Sequence, residues 1–465
     1  MSNRIQALRP RGQGHQFVIY GDACSGVPGA LHEMTFASVN AVVERLDPSP
    51  EFILFPGDEI IGLTPDEATL RDQWRHWLDV EMRWLDRGKL PIWHSTGNHT
   101  AYDAMSEAVF RDVLNLPQNG PSDQLGLSYF VRRGDLLMVF VNTLWSGLGG
   151  EGYVETRWLE ETLSQHSDAR HKLVIGHHPA FPVNGFSGAY QREIGPEHGA
   201  ALWDILVREK VLAYVCSHIL AFDVQVHRGV LQICTAGAGT AHRMPEEAEY
   251  LHCVQASIDE TGLRFQVIDT EGNVREQLEW PPSIRHPARW CSIDLGEVAA
   301  QFEGQLTSGQ MLELTLKGEA NALGAAAPQT IFSAFAPDSL APIWIGLRGA
   351  KQTLTAIIGG TPGRSPSYWL GPDIPPGSLF DFHVAFHPDM GPGGVLFRRS
   401  DEPHWTSLSS ATAKGPAEAV WPRRWTIGHG QFGAQDRPYL GRKLSCQFRV
   451  GSASGDQWFT PKNLY

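Results

Sequence analysis

Apolar positions in the first part of the chain fall into short runs that are separated by longer amphipathic stretches. Between Gln16 and about Val174, runs such as FVIY, FILF, LLMVFV and KLVIG alternate with stretches of helical period. Short continuous apolar runs are typical of strands that are covered on both faces. The pattern therefore predicts an α/β domain in which helices flank buried strands.

The helical period is clearest in the stretch LRDQWRHWLDVEMRWLDRG, residues 70–88. Trp74, Trp77 and Trp84 recur there at spacings that place them on one helical face. The spacing predicts a helix whose tryptophans face the core, with Gly88 as its stop. These tryptophans are therefore interpreted as packing residues and not as a sugar or nucleotide site.

The pattern changes after about residue 282. The segment LEWPPSIRHPARW carries three prolines, and beyond it glycine and proline separate short strand-like runs such as MLELTLKG, PIWIGLRG and LFDFHVAFH. Many short strands with little helical periodicity predict a β-sandwich. We therefore expect one domain over residues 1–282 and a second, all-β domain over residues 283–465.

Length and charge narrow the class of protein. A chain of 465 residues is too long for one ordinary core, and its 42% hydrophobic and 19% charged residues are typical of a soluble globular protein. A net charge of -13 argues against broad electrostatic binding to nucleic acid or to an anionic membrane. A small-molecule substrate or a protein partner is expected instead.

The N-terminal segment and the cysteines indicate the cellular compartment of the protein. The first fifteen residues contain no apolar run, and no stretch approaches the roughly 18 apolar residues of a membrane span. The six cysteines form no CxxC pair, which favours isolated reduced thiols over a disulfide framework. Both observations predict a cytoplasmic protein.

Polar residues follow the apolar runs of the first domain, where open α/β sheets place their ligand sites. Singly, each has an ordinary explanation as a helix cap or a core histidine, but their succession at five strand ends predicts a metal site. Aspartate, asparagine and histidine suit Mn, Fe, Zn or a similar divalent ion. The residues at these strand ends are Asp22, Cys24, Asp58, Asn98, His99, His177, His178, His218 and Asp223.

The order of these short blocks resembles a known family. GDAC, GDEI, GNHT, GHHP and CSHIL follow one another, and LQICTAGAGT closes the series. Over roughly residues 15–270 the chain resembles the calcineurin-like metallophosphoesterase superfamily. The resemblance implies a four-layer αββα sandwich in which two metals activate a hydroxide for in-line attack on phosphorus.

Residue by residue, the resemblance implies one complete metal site. Asp58 would bridge both metals, and Asn98, His177 and His218 would complete one site with it. His99 would stand beside the metals, to stabilise the phosphoryl group or to protonate the leaving oxygen. One divalent transition metal is therefore expected to bind tightly.

The second metal site is depleted. The usual Asp-x-His reads Asp22-Ala23-Cys24, the final histidine of Gly-His-x-His is replaced by Leu220, and Ile61 stands where purple acid phosphatases have a tyrosine ligand. Asp22 and the bridging Asp58 remain, and such a pair binds a metal weakly. Cys24 is either a thiolate ligand or a packed thiol.

Two further residues and three functions stay open at this point. His178 either orients its neighbours or contacts substrate, and Asp223 either approaches the metal or faces a loop. The favoured function is a phosphoesterase that acts on a small molecule and prefers diesters to monoesters. The alternatives are a mononuclear metal enzyme for a non-phosphate substrate and a metal-binding module without catalysis. His99 favours catalysis, because a structural metal needs no neighbouring acid.

The C-terminal part resembles concanavalin-like and laminin-G-like β-sandwiches, with a jelly-roll-like architecture. The resemblance rests on LFDFHVAFHPDMGPGGVLFRR and on RRWTIGHGQFGAQDRPYLGRKLSCQFRV. Such domains often bind glycans, but the fold alone does not establish that activity. Packing against the catalytic domain and formation of a homo-oligomer are equally compatible roles.

Overall fold

The structure is a computed structural model that divides into two compact units. The first unit comprises Met1–Val224 and Gly229–Pro281, and the second comprises Gln225–Arg228 and Pro282–Tyr465. Among the described residues, every helix is too short or too polar to cross a membrane. The structure describes residues 4–145, 150–151, 154–186, 193–240, 249–282, 290–293, 304–305, 309–324, 326–335, 343–359, 366–416, 420–421, 424–432 and 435–452.

The first unit is built from strands and helices that largely alternate. In chain order these are β1 Ile5–Gln6, β2 Gly14–Ile19, α1 Leu31–Glu44, β3 Leu46–Asp47, β4 Phe52–Phe55, α2 Glu67–His76, β5 Ile92–His94, α3 Ala104–Leu114, β6 Tyr129–Arg133, β7 Leu136–Phe140, β8 Leu144–Trp145, β9 Gly150–Glu151, α4 Thr156–Gln165, β10 His171–Ile175, α5 Pro196–Arg208, β11 Ala213–Cys216, β12 Phe222–His227, β13 Val230–Thr235, β14 His252–Asp259, β15 Gly262–Asp269 and β16 Val274–Trp280.

Most of these strands form two six-stranded sheets. The first sheet has the order β16-β15-β14-β2-β4-β5, and its strands β2, β4 and β5 are parallel. The second has the order β12-β13-β11-β10-β7-β6, with β7, β10, β11 and β13 parallel. Parallel strands end at the same edge of a sheet, so the loops that follow them are neighbours.

Helices cover the two sheets, and the sheets contact each other. Phe36 of α1 packs against Phe55 of the first sheet, with ring centroids 6.3 Å apart. Leu159 of α4 and Leu202 of α5 belong to one buried cluster with the second sheet. The Tyr129 hydroxyl of the second sheet donates a hydrogen bond to the carbonyl of His94 in the first, at 2.6 Å. The predicted mixed α/β character is confirmed.

The tryptophan-rich helix is shorter than the sequence predicts. After α2, residues Trp77–Glu81 form a π-helical turn, and Met82 leaves helical geometry with its N–H bonded to the Trp77 carbonyl at 2.9 Å. The wide turn seats the Trp77 ring against Phe36, 5.8 Å away. Trp74 and Trp77 are fully buried, as predicted, but Gly88 is not the stop. Packing, and not helical propensity, ends this helix.

The second unit is all-β over its described residues, apart from a 3-10 segment at Pro388–Gly394. Its strands are β17 Cys291–Ile293, β18 Gly304–Gln305, β19 Gln310–Glu319, β20 Gln329–Phe335, β21 Ile343–Arg348, β22 Thr353–Ile358, β23 Ser367–Asp373, β24 Leu379–Phe386, β25 Val395–Arg399, β26 Thr406–Ser407, β27 Ser409–Ser410, β28 Val420–Trp421, β29 Arg424–Ile427, β30 Gln431–Phe432, β31 Gln435–Asp436 and β32 Arg442–Ser452.

Two six-stranded sheets enclose the core of the second unit. Their orders are β17-β32-β19-β24-β25-β26 and β27-β23-β22-β21-β20-β29. Leu314 and Phe448 from one sheet and Ile345 and Trp369 from the other belong to the same buried cluster. Residues that alternate along antiparallel strands therefore fill the space between two sheets. The specific likeness to concanavalin and laminin-G domains stays a prediction.

Candidate metal centre

Five loops at the ends of parallel strands carry the predicted metal residues. Within each sheet these loops leave the same edge, and the side chains meet although they are far apart in sequence. Asp22 follows β2, Asp58 follows β4, Asn98 and His99 follow β5, His177 follows β10, and His218 follows β11.

The side chains that were predicted to form the complete site converge on a small volume. His177 Nε2 lies 3.0 Å from Asn98 Oδ1 and 3.2 Å from Asp58 Oδ2. His218 Nδ1 lies 2.9 Å from the same Asn98 oxygen. His177 is fully buried and Asp58 is nearly so. Four potential ligand atoms thus lie close together, with His177 and Asp58 buried and with Asn98 and His218 partly exposed.

A hydrogen bond to the backbone fixes which nitrogen of His177 faces this volume. His177 Nδ1 lies 2.8 Å from the Pro56 carbonyl, and a carbonyl only accepts, so Nδ1 carries the hydrogen. In neutral His177, the Nε2 lone pair therefore points at the Asn98 and Asp58 oxygens. Both oxygens lie within 3.2 Å of Nε2, and a cation there, either an extra proton on His177 or a metal ion, would stabilise this arrangement. The donor set fits a divalent transition metal.

Electrostatics in this volume favour a positive charge. Burial lowers the pKa of His177, but the carboxylates of Asp58 and Asp22 outweigh it and raise that pKa to about 9. Burial raises the pKa of Asp58, yet the His177 and His99 charges leave it below the ordinary value for a carboxyl group. A bound dication would take over the role of the His177 proton, because metal and proton compete for one lone pair.

The backbone at three of these positions is left-handed. Asp22, Asp58 and His218 have φ values of 60°, 59° and 68°, which are unusual for residues other than glycine. Hydrogen bonds between the loops hold the conformation: Asp22 N–H donates to the Gly57 carbonyl at 3.1 Å and Ser217 N–H donates to the His177 carbonyl at 2.8 Å. Such strain persists only where its surroundings support it, and it is common at functional sites.

Two glycines are required by close approach of the ligands. A Cβ at Gly97 would lie 2.1 Å from Asp58 Oδ1, and a Cβ at Gly57 would lie 2.7 Å from His177 Nδ1. Gly57 also has a φ of 98°. The glycine before Asn98 therefore makes room for the Asp58 carboxylate, in addition to serving the turn.

His99 lies beside the four converging side chains and not among them. Its backbone N–H donates to Asp58 Oδ1 at 2.9 Å, and its Nδ1 donates to the Ile61 carbonyl at 2.7 Å. The ring is partly exposed, and Nε2 is the nitrogen left for chemistry. The backbone and Nδ1 contacts therefore hold His99 beside Asp58 and leave Nε2 without a hydrogen bond among the described residues.

The second site, which the sequence predicts to be depleted, lies around Asp22. Asp22 is buried, and its Oδ2 accepts hydrogen bonds from the Ser217 hydroxyl and from the His218 N–H, the latter at 2.8 Å. Ligand atoms of Asp22, Asp58 and His177 lie within 4.8 Å of one another. Burial raises the pKa of Asp22 to about 6, so this carboxylate gains from a nearby cation.

Cys24 lies close enough to this second site to reach it. Ligand atoms of Cys24, Asp58 and His99 lie within 4.8 Å of one another, and Cys24 is 4% exposed. Burial and the Asp58 and Asp22 charges hold the pKa of the Cys24 thiol well above its ordinary value. Without a metal the thiol therefore stays protonated, and both predicted roles for Cys24 remain compatible with its position.

Two further strand-end residues lie near these side chains. His178 is fully buried, its Nδ1 lies 2.8 Å from Thr143 Oγ1, and its ring centroid is 4.3 Å from that of His218. Ligand atoms of His177, His178 and His218 lie within 4.8 Å of one another, so both predicted roles for His178 stay open. Asp223 is buried at the start of β12 and accepts a 3.2 Å hydrogen bond from the Asn184 side chain, which lies in a loop.

Sequence reasoning missed two hydroxyl residues that hold Asp22. Ser217 donates to the Asp22 carboxylate, and Thr240 binds the Asp22 carbonyl through its N–H at 3.1 Å. Serine and threonine are too common at loop positions to be recognised singly. Their places inside the CSHIL and LQICTAGAGT blocks are the signals that could have pointed to them.

No family model and no curated protein matches this chain. Solved structures similar to it include purple acid phosphatase PPD1 from yellow lupin, at 12% identity and a TM-score of 0.44, covering 58% of this chain and 54% of that one. GAP50, the anchor in the inner membrane complex of Plasmodium, is 15% identical with a TM-score of 0.40, covering 58% of this chain and 89% of its own.

A putative 5'-nucleotidase from Staphylococcus aureus is also similar, at 13% identity and a TM-score of 0.35, covering 56% of this chain and 52% of that one. The lupin phosphatase and this nucleotidase are calcineurin-like metallophosphoesterases. This chain spans about half the length of both. At these TM-scores, the residues of the metal centre themselves have to carry any functional proposal.

Proposed function

We propose that this protein is a metal-dependent phosphoesterase that acts on a small molecule. One observation carries the proposal: His177 Nε2 lies 3.0 Å from Asn98 Oδ1 and 3.2 Å from Asp58 Oδ2, with the other His177 nitrogen bonded to the Pro56 carbonyl. A cation held by these three atoms would stabilise the arrangement, and a divalent metal would displace the second proton of His177. With His218, these residues would hold the metal.

Each residue then has a distinct part in the reaction. A bound metal would lower the pKa of a water ligand and polarise the phosphoryl oxygen. Asp58 directs Oδ2 toward His177 because its Oδ1 accepts from the His99 N–H. His99, held at Nδ1 by the Ile61 carbonyl, presents Nε2 to protonate the leaving oxygen or to stabilise the phosphoryl group.

The depleted second site underlies a proposed preference for diesters. Two metals together generate a hydroxide and neutralise the double negative charge of a phosphomonoester. Here Leu220 and Ile61 supply no ligand atoms, and Asp22 is already engaged by Ser217. Singly charged diesters should therefore tolerate this centre better than monoesters. The same depletion favours the second candidate function, a mononuclear metal enzyme for a non-phosphate substrate.

Purified protein is expected to contain about one tightly bound transition metal per chain, because one ligand set is complete and the other is depleted. Elemental analysis after extensive dialysis without chelator measures this. Wild type and Cys24→Ser are compared, since a thiolate ligand would raise the metal content of wild type alone. Two dialysis-resistant equivalents in wild type would contradict the one-site proposal, and their reduction to one in Cys24→Ser would show that Cys24 completes the second site.

A substrate panel is expected to show weak monoester turnover and better hydrolysis of a small phosphodiester with added manganese. The panel contains monoesters, diesters, carboxyl esters and other non-phosphate substrates, each assayed with wild type and with Asp58→Asn. Strong monoester turnover would contradict the diester preference. Metal-dependent turnover of non-phosphate substrates alone would favour the second candidate, and a metal-loaded but inactive protein would favour a binding module.

A further inference from the structure

A cavity of about 700 Å³ opens in the first unit, away from the metal residues. Its walls are β1 and the segment that follows it, the end of α1, and β15 with the turn after it. Four arginines line the cavity, namely Arg4, Arg9, Arg45 and Arg264, with Glu271 as the acidic lining residue. A basic cavity is unexpected in a chain whose net charge is -13.

The guanidinium of Arg45 lacks an acceptor in the described part of the chain. Arg45 follows α1, and a Cβ at position 272 would lie 2.8 Å from its Nη2, which places the group over the turn at Gly272. Its Nε is buried and has no hydrogen-bond partner among the residues that the structure describes. Within the same residues, its side chain takes part in no ion pair. A buried, unpaired donor of this kind is costly and rare.

Arg264 reaches the same cavity and is only partly satisfied. Its Nη2 donates to the Arg9 carbonyl at 2.6 Å and lies 3.2 Å from Asp259 Oδ2. Its Nε is buried and lacks an acceptor among the described residues, like that of Arg45. The Arg264 side chain is 14% exposed, so solvent does little to replace the missing acceptor. Two arginines that line the cavity therefore have a buried Nε–H without an acceptor among the described residues.

Local carboxylates do not balance the charge of this cavity. Arg4 lies 3.6 Å from Asp47, and Arg264 is paired with Asp259. Within the described residues, neither Arg9 nor Arg45 has a carboxylate partner. Guanidinium groups bind phosphate and sulfate through parallel N–H donors, and a cavity of this size suits a small molecule.

We propose that this cavity binds an anion that carries more than one phosphate or sulfate group. Several guanidinium groups around one open volume suit a polyanion better than a single monovalent anion, because each additional charge meets its own donor fork. Free polyphosphate and the phosphorylated headgroup of a lipid share this chemistry. Of these two, the free soluble polyanion is the proposed ligand.

The cavity is separate from the metal centre. Arg264 pairs with Ser257 of β14, which pairs in turn with Gln16 of β2. Gln16 precedes Asp22 by six residues, which corresponds to roughly 20 Å along an extended chain. The proposed anion site therefore does not depend on the proposed phosphoesterase function, and the two can fail independently.

Calorimetric titration of the full chain with inorganic tripolyphosphate tests the proposal. Wild type is expected to bind, and the double variant Arg9→Gln/Arg45→Gln is expected to bind at least about tenfold more weakly, since charged hydrogen bonds are lost. Arg83→Gln/Arg87→Gln is the matched control, because it removes the same two charges from exposed arginines outside the cavity. Its affinity should equal that of wild type.

Two further measurements distinguish binding in this cavity from binding at the metal centre and from binding to a lipid surface. His218→Ala should keep the binding, because tripolyphosphate held by a metal would be lost with the metal. Vesicles that contain phosphoinositides should compete no better than the soluble anion. Equal affinity in wild type and the double variant, loss of binding in His218→Ala, or binding to vesicles alone would each overturn the proposal. An unchanged circular dichroism spectrum and melting temperature in the double variant show that the fold is intact.

Discussion

His218→Ala is expected to lose its metal and its activity together. His218 Nδ1 lies 2.9 Å from Asn98 Oδ1, so removal of the imidazole takes one of four ligands from the only complete set that the sequence predicts. Loss of a residue that merely orients a ligand costs about 10 to 100-fold in metal affinity, and loss of a ligand should cost at least the upper value. Elemental analysis and hydrolysis assays on the same preparation measure both effects.

A matched histidine separates this effect from general destabilisation. His166, at the end of α4, is partly buried and bonds through Nδ1 to the Thr162 carbonyl at 2.9 Å. His166→Ala removes the same side chain away from the metal residues and should keep both metal and turnover. If His218→Ala also kept its metal, His218 would not be a ligand and the proposed site would be wrong.

His99→Ala is expected to lower turnover by about 10² to 10⁴-fold while the metal content stays close to that of wild type. Proton transfer by a positioned side chain is commonly worth this factor. The metal should remain, because His99 supports Asp58 through its backbone N–H, at 2.9 Å, and alanine keeps that group. Turnover number, Michaelis constant and metal content are measured on one preparation.

The two kinetic parameters distinguish catalysis from binding by His99. A residue that acts on the leaving oxygen or on developing charge lowers kcat, whereas a residue that only binds substrate raises KM. His99→Gln keeps a hydrogen-bonding side chain without an ionisable ring, and it should be as impaired as His99→Ala if a proton is transferred. Metal loss in His99→Ala equal to that in His218→Ala would instead make His99 a structural residue.

The sequence predicted the composition of the candidate centre because strand pattern is a local property. Apolar runs end at Ile19, Phe55 and Ile175 in the structure, and the polar residues that follow them are those chosen from the sequence. Since parallel strands share an edge, their succession was enough to predict that distant loops would meet. The prediction that the second site is depleted also came from residue identity alone, because Cys24 and Leu220 stand where the resemblance places histidines.

The pattern of apolar and polar residues within one segment does not predict how side chains from different loops are oriented toward one another. The Pro56 carbonyl decides which nitrogen of His177 is presented, and the Asp58 carboxylate decides that residue 97 must be glycine. Similarly, packing of Trp77 against Phe36 ends a helix that its periodicity would have continued. Each is a contact between segments tens of residues apart, which periodicity within one segment does not record.

By itself, the sequence determined the α/β character of the first part of this protein and the pattern of short strands in the second part. It also determined which residue types could serve as metal ligands. Only the tertiary structure decided which ligand atoms converge and which donors lack acceptors among the described residues, including the Nε groups of Arg45 and Arg264, two arginines that line one cavity. The physical reason is that apolar burial is specified by periodic spacing along the chain. Electrostatic and hydrogen-bond complementarity depends instead on distances and orientations that exist once the sheets have packed.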